Sequence, residues 1–154
     1  MEITTLPPGE KLDTLSACLL IEESCAKIYR YFASVFSDNQ EVAGIWSELA
    51  AEEDRHAETF RQVIDAHGRE SRGSGDDNFL ARAILDKLDS FMAGMKLNPP
   101  KPDEAFLSAA ILEHSIEKYH VEVSKSLVHP ELSELLSTMA DYDRCHREIM
   151  QRGR

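Results

Sequence analysis

Glu53 and His56 lie three residues apart in LAAEEDRHAETF, and Asp143 and His146 repeat the same spacing near the end of the chain. Residues three apart on a helix share a face, so each pair sets one carboxylate beside one imidazole. Glu22 and Glu113 complete a pattern: they are 91 residues apart, while Glu53 to Asp143 and His56 to His146 are both 90. Acids and histidines that recur at one offset form a pseudo-twofold set of oxygen and nitrogen donors. The chemistry open to such a set is the binding of a pair of cations. Two divalent ions carry four positive charges against four carboxylates, whereas four uncompensated acids in a core would cost several kcal/mol each or take up protons. Oxygen and nitrogen donors without a thiolate suit iron or manganese better than a soft metal, and zinc can occupy the same groups.

Helices are the elements able to position these residues. Gly and Pro cluster in a few places, and the stretches between them carry apolar residues at three- and four-residue steps. Four long helices are predicted: about Lys11 to Phe36, about Asn39 to His67 with Asp38 and Glu41 spaced as a capping box, about Asp103 to Val128 after NPPKPD, and Pro130 to about Gln151. Short turns make each successive pair an antiparallel hairpin. Residues 68 to 102 form a long connection with a smaller amphipathic helix from about Phe79 to Lys96, preceded by the Gly- and Ser-rich linker GRESRGSGDDN. The expected fold is therefore all-α: an antiparallel four-helix bundle with one long crossover connection carrying a short extra helix, in one domain over residues 1–154.

The inward stripes place the ionisable residues at mid-helix. The first reads Leu12, Leu15, Leu19, Glu22, Ala26, Tyr29, Ala33, Phe36, and the second Val42, Ile45, Leu49, Glu53, His56, Phe60, Val63, His67. The third reads Phe106, Ala109, Glu113, Ile116, His120, Val123, Leu127, and the fourth Leu132, Leu136, Met139, Asp143, His146, Met150. A lone Glu on such a stripe ordinarily keeps its head in solvent, and a lone His is ordinarily a hydrogen-bonded core residue. Depth argues otherwise. Glu22 lies 17 residues before Asn39 and His56 17 after it, while Glu113 lies 16 before His129 and His146 17 after it, so each half brings its polar residues to one level. Glu from two helices and Glu-x-x-His or Asp-x-x-His from the other two is the layout of di-iron and di-manganese carboxylate bundles.

The segments IEESCAKIYRYFA and LAAEEDRHAETF resemble the first two helices of the rubrerythrin branch of the ferritin-like superfamily, and the likeness extends over the four long helices. The resemblance implies a ferritin-like bundle in which Glu22 and Glu113 bind one metal each, Glu53 and Asp143 bridge, His56 and His146 cap the ions, and Tyr29 stands just outside the ligands. It also implies two iron ions per chain, an oxidoreductase reacting with hydrogen peroxide or dioxygen as a peroxidase or ferroxidase, and a homodimer. The chain departs from the family's pattern at three places. Asp143 replaces a Glu, Ile116 stands where an additional Glu is expected with Glu117 one residue late, and the rubredoxin-like domain with its cysteine pairs is missing, so electrons would come from a separate protein. His120 corresponds by the same offset to Tyr29, and His120 and Glu117 are further candidate ligands. The alternative function is iron binding, storage or sensing without repeated turnover. A third reading pairs the buried acids with Lys27, Arg55 or Arg144, which fall off the inward stripes.

Charge and cysteine content bound the rest. A formal net charge of -11 repels nucleic acid and anionic lipid. Cys18, Cys25 and Cys145 include no C-x-x-C pair, and an odd, small number of cysteines fits a reducing compartment. MEITTLPPGEKLD lacks the basic-then-apolar pattern of a signal peptide, and no apolar run reaches a membrane span. A cytoplasmic location is expected. Cys25 and Cys145 are expected to fill space, as are Trp46 and Phe91, while His114, His67 and His129 receive no chemical role.

Overall fold

A computed structural model describes residues 13–67 and 75–153 of the chain. Five helices follow one another: α1 (Thr14–Val35), α2 (Gln40–His67), α3 (Gly75–Leu97), α4 (Pro102–Ser126) and α5 (Pro130–Arg152). There is no strand among the described residues. The fold is an all-α, ferritin-like helical bundle. No helix among the described residues is long and apolar enough to cross a membrane.

The short turns fix the pairing. After α1, the Asn39 amide bonds back to the Phe36 carbonyl, and Asn39 Oδ1 accepts the Val42 amide at 3.2 Å. Asn39 therefore caps α2, and the expected capping box of Asp38 and Glu41 does not form: the tight turn brings the Asn39 side chain to the free amide first. At the other turn, Pro130 opens α5 and the Ser133 hydroxyl donates to the Ser124 carbonyl at 2.5 Å, tying the two helix ends together. α1 packs along α2 and α4 along α5, and α3 lies against both α1 and α4.

α3 begins at Gly75, one turn before the predicted start, so the last residues of GRESRGSGDDN are helical rather than linker. Residues 68–74 lie outside the described residues, as do Lys11 and Leu12 at the predicted start of the first helix. Because α3 covers it, α1 is buried on more than its inward stripe. Tyr31 reaches the Met95 carbonyl at 3.1 Å, and the Phe32 and Phe91 rings meet edge to face.

Apolar packing closes one end of the bundle beside the charged level. Trp46 is wholly buried, stacks on Phe106 at 4.8 Å, and touches Phe32 at 4.7 Å and Tyr29 at 5.4 Å. Its indole nitrogen has no hydrogen-bond partner, so ring packing alone holds it. Trp46→Ala should cost about 3–5 kcal/mol through lost burial and the cavity left behind. In a chain of this size that lowers the thermal midpoint by on the order of 10 °C. Calorimetry checks this; an unchanged midpoint would show that the aromatic cluster does not anchor the bundle.

Candidate metal centre

At mid-bundle, α1 brings Glu22, α2 brings Glu53 and His56 one turn apart, α4 brings Glu113 and His120 two turns apart, and α5 brings Asp143 and His146. All seven are buried. Their donor atoms fall into three overlapping groups, each able to hold a metal ion: Glu22, Glu53 and His56; Glu22, His120 and Asp143; Glu53, Glu113 and His146. All six candidates in the repeated pattern are thus brought together, and so is His120.

The donors converge without satisfying one another. His56 Nδ1 lies 3.8 Å from both Glu22 Oε2 and Glu53 Oε2, and His146 Nδ1 lies 2.8 Å from Glu53 Oε1 and 3.4 Å from Glu113 Oε1. These contacts are close enough for ion pairs but not aligned as hydrogen bonds. Buried and without a hydrogen-bond partner are Glu22 Oε1, both oxygens of Glu53, His56 Nδ1, Glu113 Oε2, His120 Nε2 and His146 Nδ1. Two adjacent ligands on one ion with bonds of about 2.1 Å stand about 3 Å apart, so groups facing a common point at these separations fit a metal. Buried polar atoms are otherwise almost always paired, which makes a cluster of orphans informative. The residues present fit an iron or manganese pair.

Asp143 joins the cluster from one side. It falls with Glu22 and His120, and Glu22 and Glu53 are each common to two groups. The cause is local: His120 Nδ1 lies 2.5 Å from Asp143 Oδ2 and holds the short side chain there. Glu117 stays outside the cluster, gripped by Arg147 and by Arg144 at 3.2 Å. One residue past Ile116, it points round the helix away from the core. Arg55 and Arg144 meet the outer carboxylates Glu52, Glu117 and Asp141, and the close ion pairs of the buried acids are with histidines.

Protons stand in for cations here. Burial, helped by Glu53, pushes the Glu22 carboxyl up to about 8. Burial also lifts Glu113 to about 7 against the pull of His146. For His56, burial disfavours the charge, but Glu22 and Glu53 outweigh it and raise the group to about 10. The same contest, won by Glu113 and Glu53, brings His146 to about 12. Burial and then Glu113 push the Tyr29 phenol well above its usual range, so its hydroxyl stays protonated and donates to Glu113 Oε1. Cys25 is likewise held as a thiol by burial and by Glu53, while Cys145 is exposed.

Two neighbours of the site escaped the sequence reading. Glu52 Oε2 meets His146 Nε2 at 2.9 Å, and the Tyr142 ring lies 4.6 Å from the His56 ring. Glu52 fixes which His146 nitrogen faces inward, as carboxylates behind metal-bound histidines do. The 90-residue offset that pairs Glu53 with Asp143 also pairs Glu52 with Tyr142. That was the available signal: each residue precedes a candidate ligand and supports the histidine of the opposite half.

Residues 13–79 match the family model for rubrerythrin. Rubrerythrin is a ferritin-like di-iron family. The matched segment spans α1, α2 and the start of α3, and so contains Glu22, Tyr29, Glu53 and His56. Glu113, His120, Asp143 and His146 lie beyond it, and their connection to the matched segment is the geometry just described. No curated protein and no solved structure matches the chain.

Proposed function

We propose that this chain is a di-iron carboxylate oxidoreductase that reduces hydrogen peroxide or dioxygen and is re-reduced by a separate electron-donor protein. The observation that carries the reading is the ring of buried, unpartnered oxygen and nitrogen donors contributed by four helices. Glu22, Glu53, His56, Glu113, Asp143 and His146 hold the metals in this reading. Two ferrous ions held by these residues would supply the two electrons that, with two protons, convert one hydrogen peroxide to two waters.

The surrounding residues prepare the site for that chemistry. Tyr29 fixes Glu113 through its hydroxyl, and Glu52 fixes the His146 ring. Glu22 and Glu113, whose carboxyls titrate near neutrality without metal, give up their protons as metal binds. Trp46, Phe32 and Phe106 keep water from one end of the site.

Stopped-flow mixing of anaerobic, Fe(II)-loaded protein with peroxide tests the reading. Oxidation should outpace that of free ferrous ion and consume about one peroxide per metal pair. Oxidation no faster than free Fe(II) rejects the oxidoreductase. Rapid oxidation followed by no turnover with an added electron donor points instead to iron storage or sensing.

A further inference from the structure

The two halves of the site differ at one pair of equivalent positions. In one half Tyr29 donates its hydroxyl to Glu113. In the other half the matching residue is His120, wholly buried on α4 with the Phe60 ring stacked 6.5 Å away. A phenol at this position satisfies its neighbour and is finished, whereas an imidazole has a second nitrogen to place. Asp143 takes Nδ1, which fixes the ring and turns Nε2 inward. Nε2 there has no hydrogen-bond partner and stands 3.6 Å from Glu22 Oε1, itself unpartnered.

We infer that His120 is a third imidazole ligand, bound through Nε2 to the ion beside Glu22, and that the two metal positions are therefore unequal. This rests on the dinuclear reading above and extends it. The Glu22 position collects nitrogen from His56 and His120, while the Glu113 position has only His146. The carboxylate behind the ring is the arrangement that sets tautomer and orientation in metal-bound histidines. Here it costs Asp143 one of its oxygens, so Glu53 is the main bridge. An additional nitrogen donor strengthens binding of first-row ions, so one position should fill before the other.

Crystals of the whole chain loaded with Mn(II), with ions located by anomalous scattering, test this directly. The expected result is two ions, one within about 2.3 Å of His120 Nε2. Calorimetric Mn(II) titration should then resolve two steps, and His120→Phe should weaken one by tenfold or more while leaving the other unchanged. His120→Gln, similar in size and able to bond Asp143, should do the same if the Phe variant fails to fold. Two ions with His120 unbound, or titrations unaltered in a folded variant, overturn the inference and leave the dinuclear site intact. No ion in the wild-type chain overturns the dinuclear reading and this inference together.

Discussion

Replacing Glu53 and His56 together with alanine should reduce metal content from about two ions per chain to almost none. Glu53 belongs to two of the three donor groups, and neither of its oxygens has a hydrogen-bond partner. Its loss therefore strips a ligand from both positions, and the loss of His56 removes another from one. Losing even a support behind a ligand typically costs 10–100-fold in metal affinity, and here two ligands go. Elemental analysis after Fe(II) reconstitution reads the result, with circular dichroism showing that the helices persist. Glu117→Gln is the control. Glu117 is held by Arg147 and Arg144 outside the cluster, so this variant should keep both ions. Full metal content in the double variant would return the buried acids to a purely structural role.

Metal uptake near neutral pH should release protons, and the metal-free protein should lose stability as pH rises. Glu22, raised to about 8, and Glu113, raised to about 7, hold protons in the folded chain that an unfolded carboxylate has already given up. His56 and His146, raised to about 10 and about 12, do the same above the usual histidine range. The native state thus binds more protons than the unfolded one. The contribution of the two carboxyls is complete below their ordinary range near pH 4.5 and is lost as pH passes about 7 and 8. That of His56 is complete below about 6.5 and fades toward about 10. Melting temperatures of metal-free protein should therefore fall between about pH 6 and 9. Bound metal replaces these protons, so the loaded protein should melt higher, by about 4 kcal/mol of added stability at a thousandfold excess over Kd, and the gap should widen with pH. Calorimetric titration in two buffers of different ionisation enthalpy counts the released protons. A count of zero would mean that the ions bind elsewhere.

Glu52, Tyr142 and Asn39 show why part of the structure was hidden in the sequence. Each acts across a gap between helices or within a tight turn, and helical periodicity says nothing about which side chain wins a contact there. Asp38 and Asn39 are both good caps, and the turn geometry chose Asn39. Asp143 has the spacing of a bridging ligand, and the contact of its Oδ2 with His120 was decided where α4 meets α5. Gly75 begins α3 although its Gly- and Ser-rich neighbours read as linker, because that helix packs on α1 and α4.

Periodicity and offset were sufficient for the helices, their pairing and the level of the charged residues. Apolar spacing follows directly from the 3.6-residue turn, and the 90- and 91-residue offsets put Glu22, Glu53, His56, Glu113, Asp143 and His146 at one depth. Those properties belong to single helices and short turns, so they can be read along one dimension. Whether His120 faces the acids, which carboxylates fall in one donor group, and that Glu117 is drawn to Arg147 depended on the tertiary structure. Those outcomes are competitions among side chains from different helices, decided by differences of an ångström or so that the order of residues does not record.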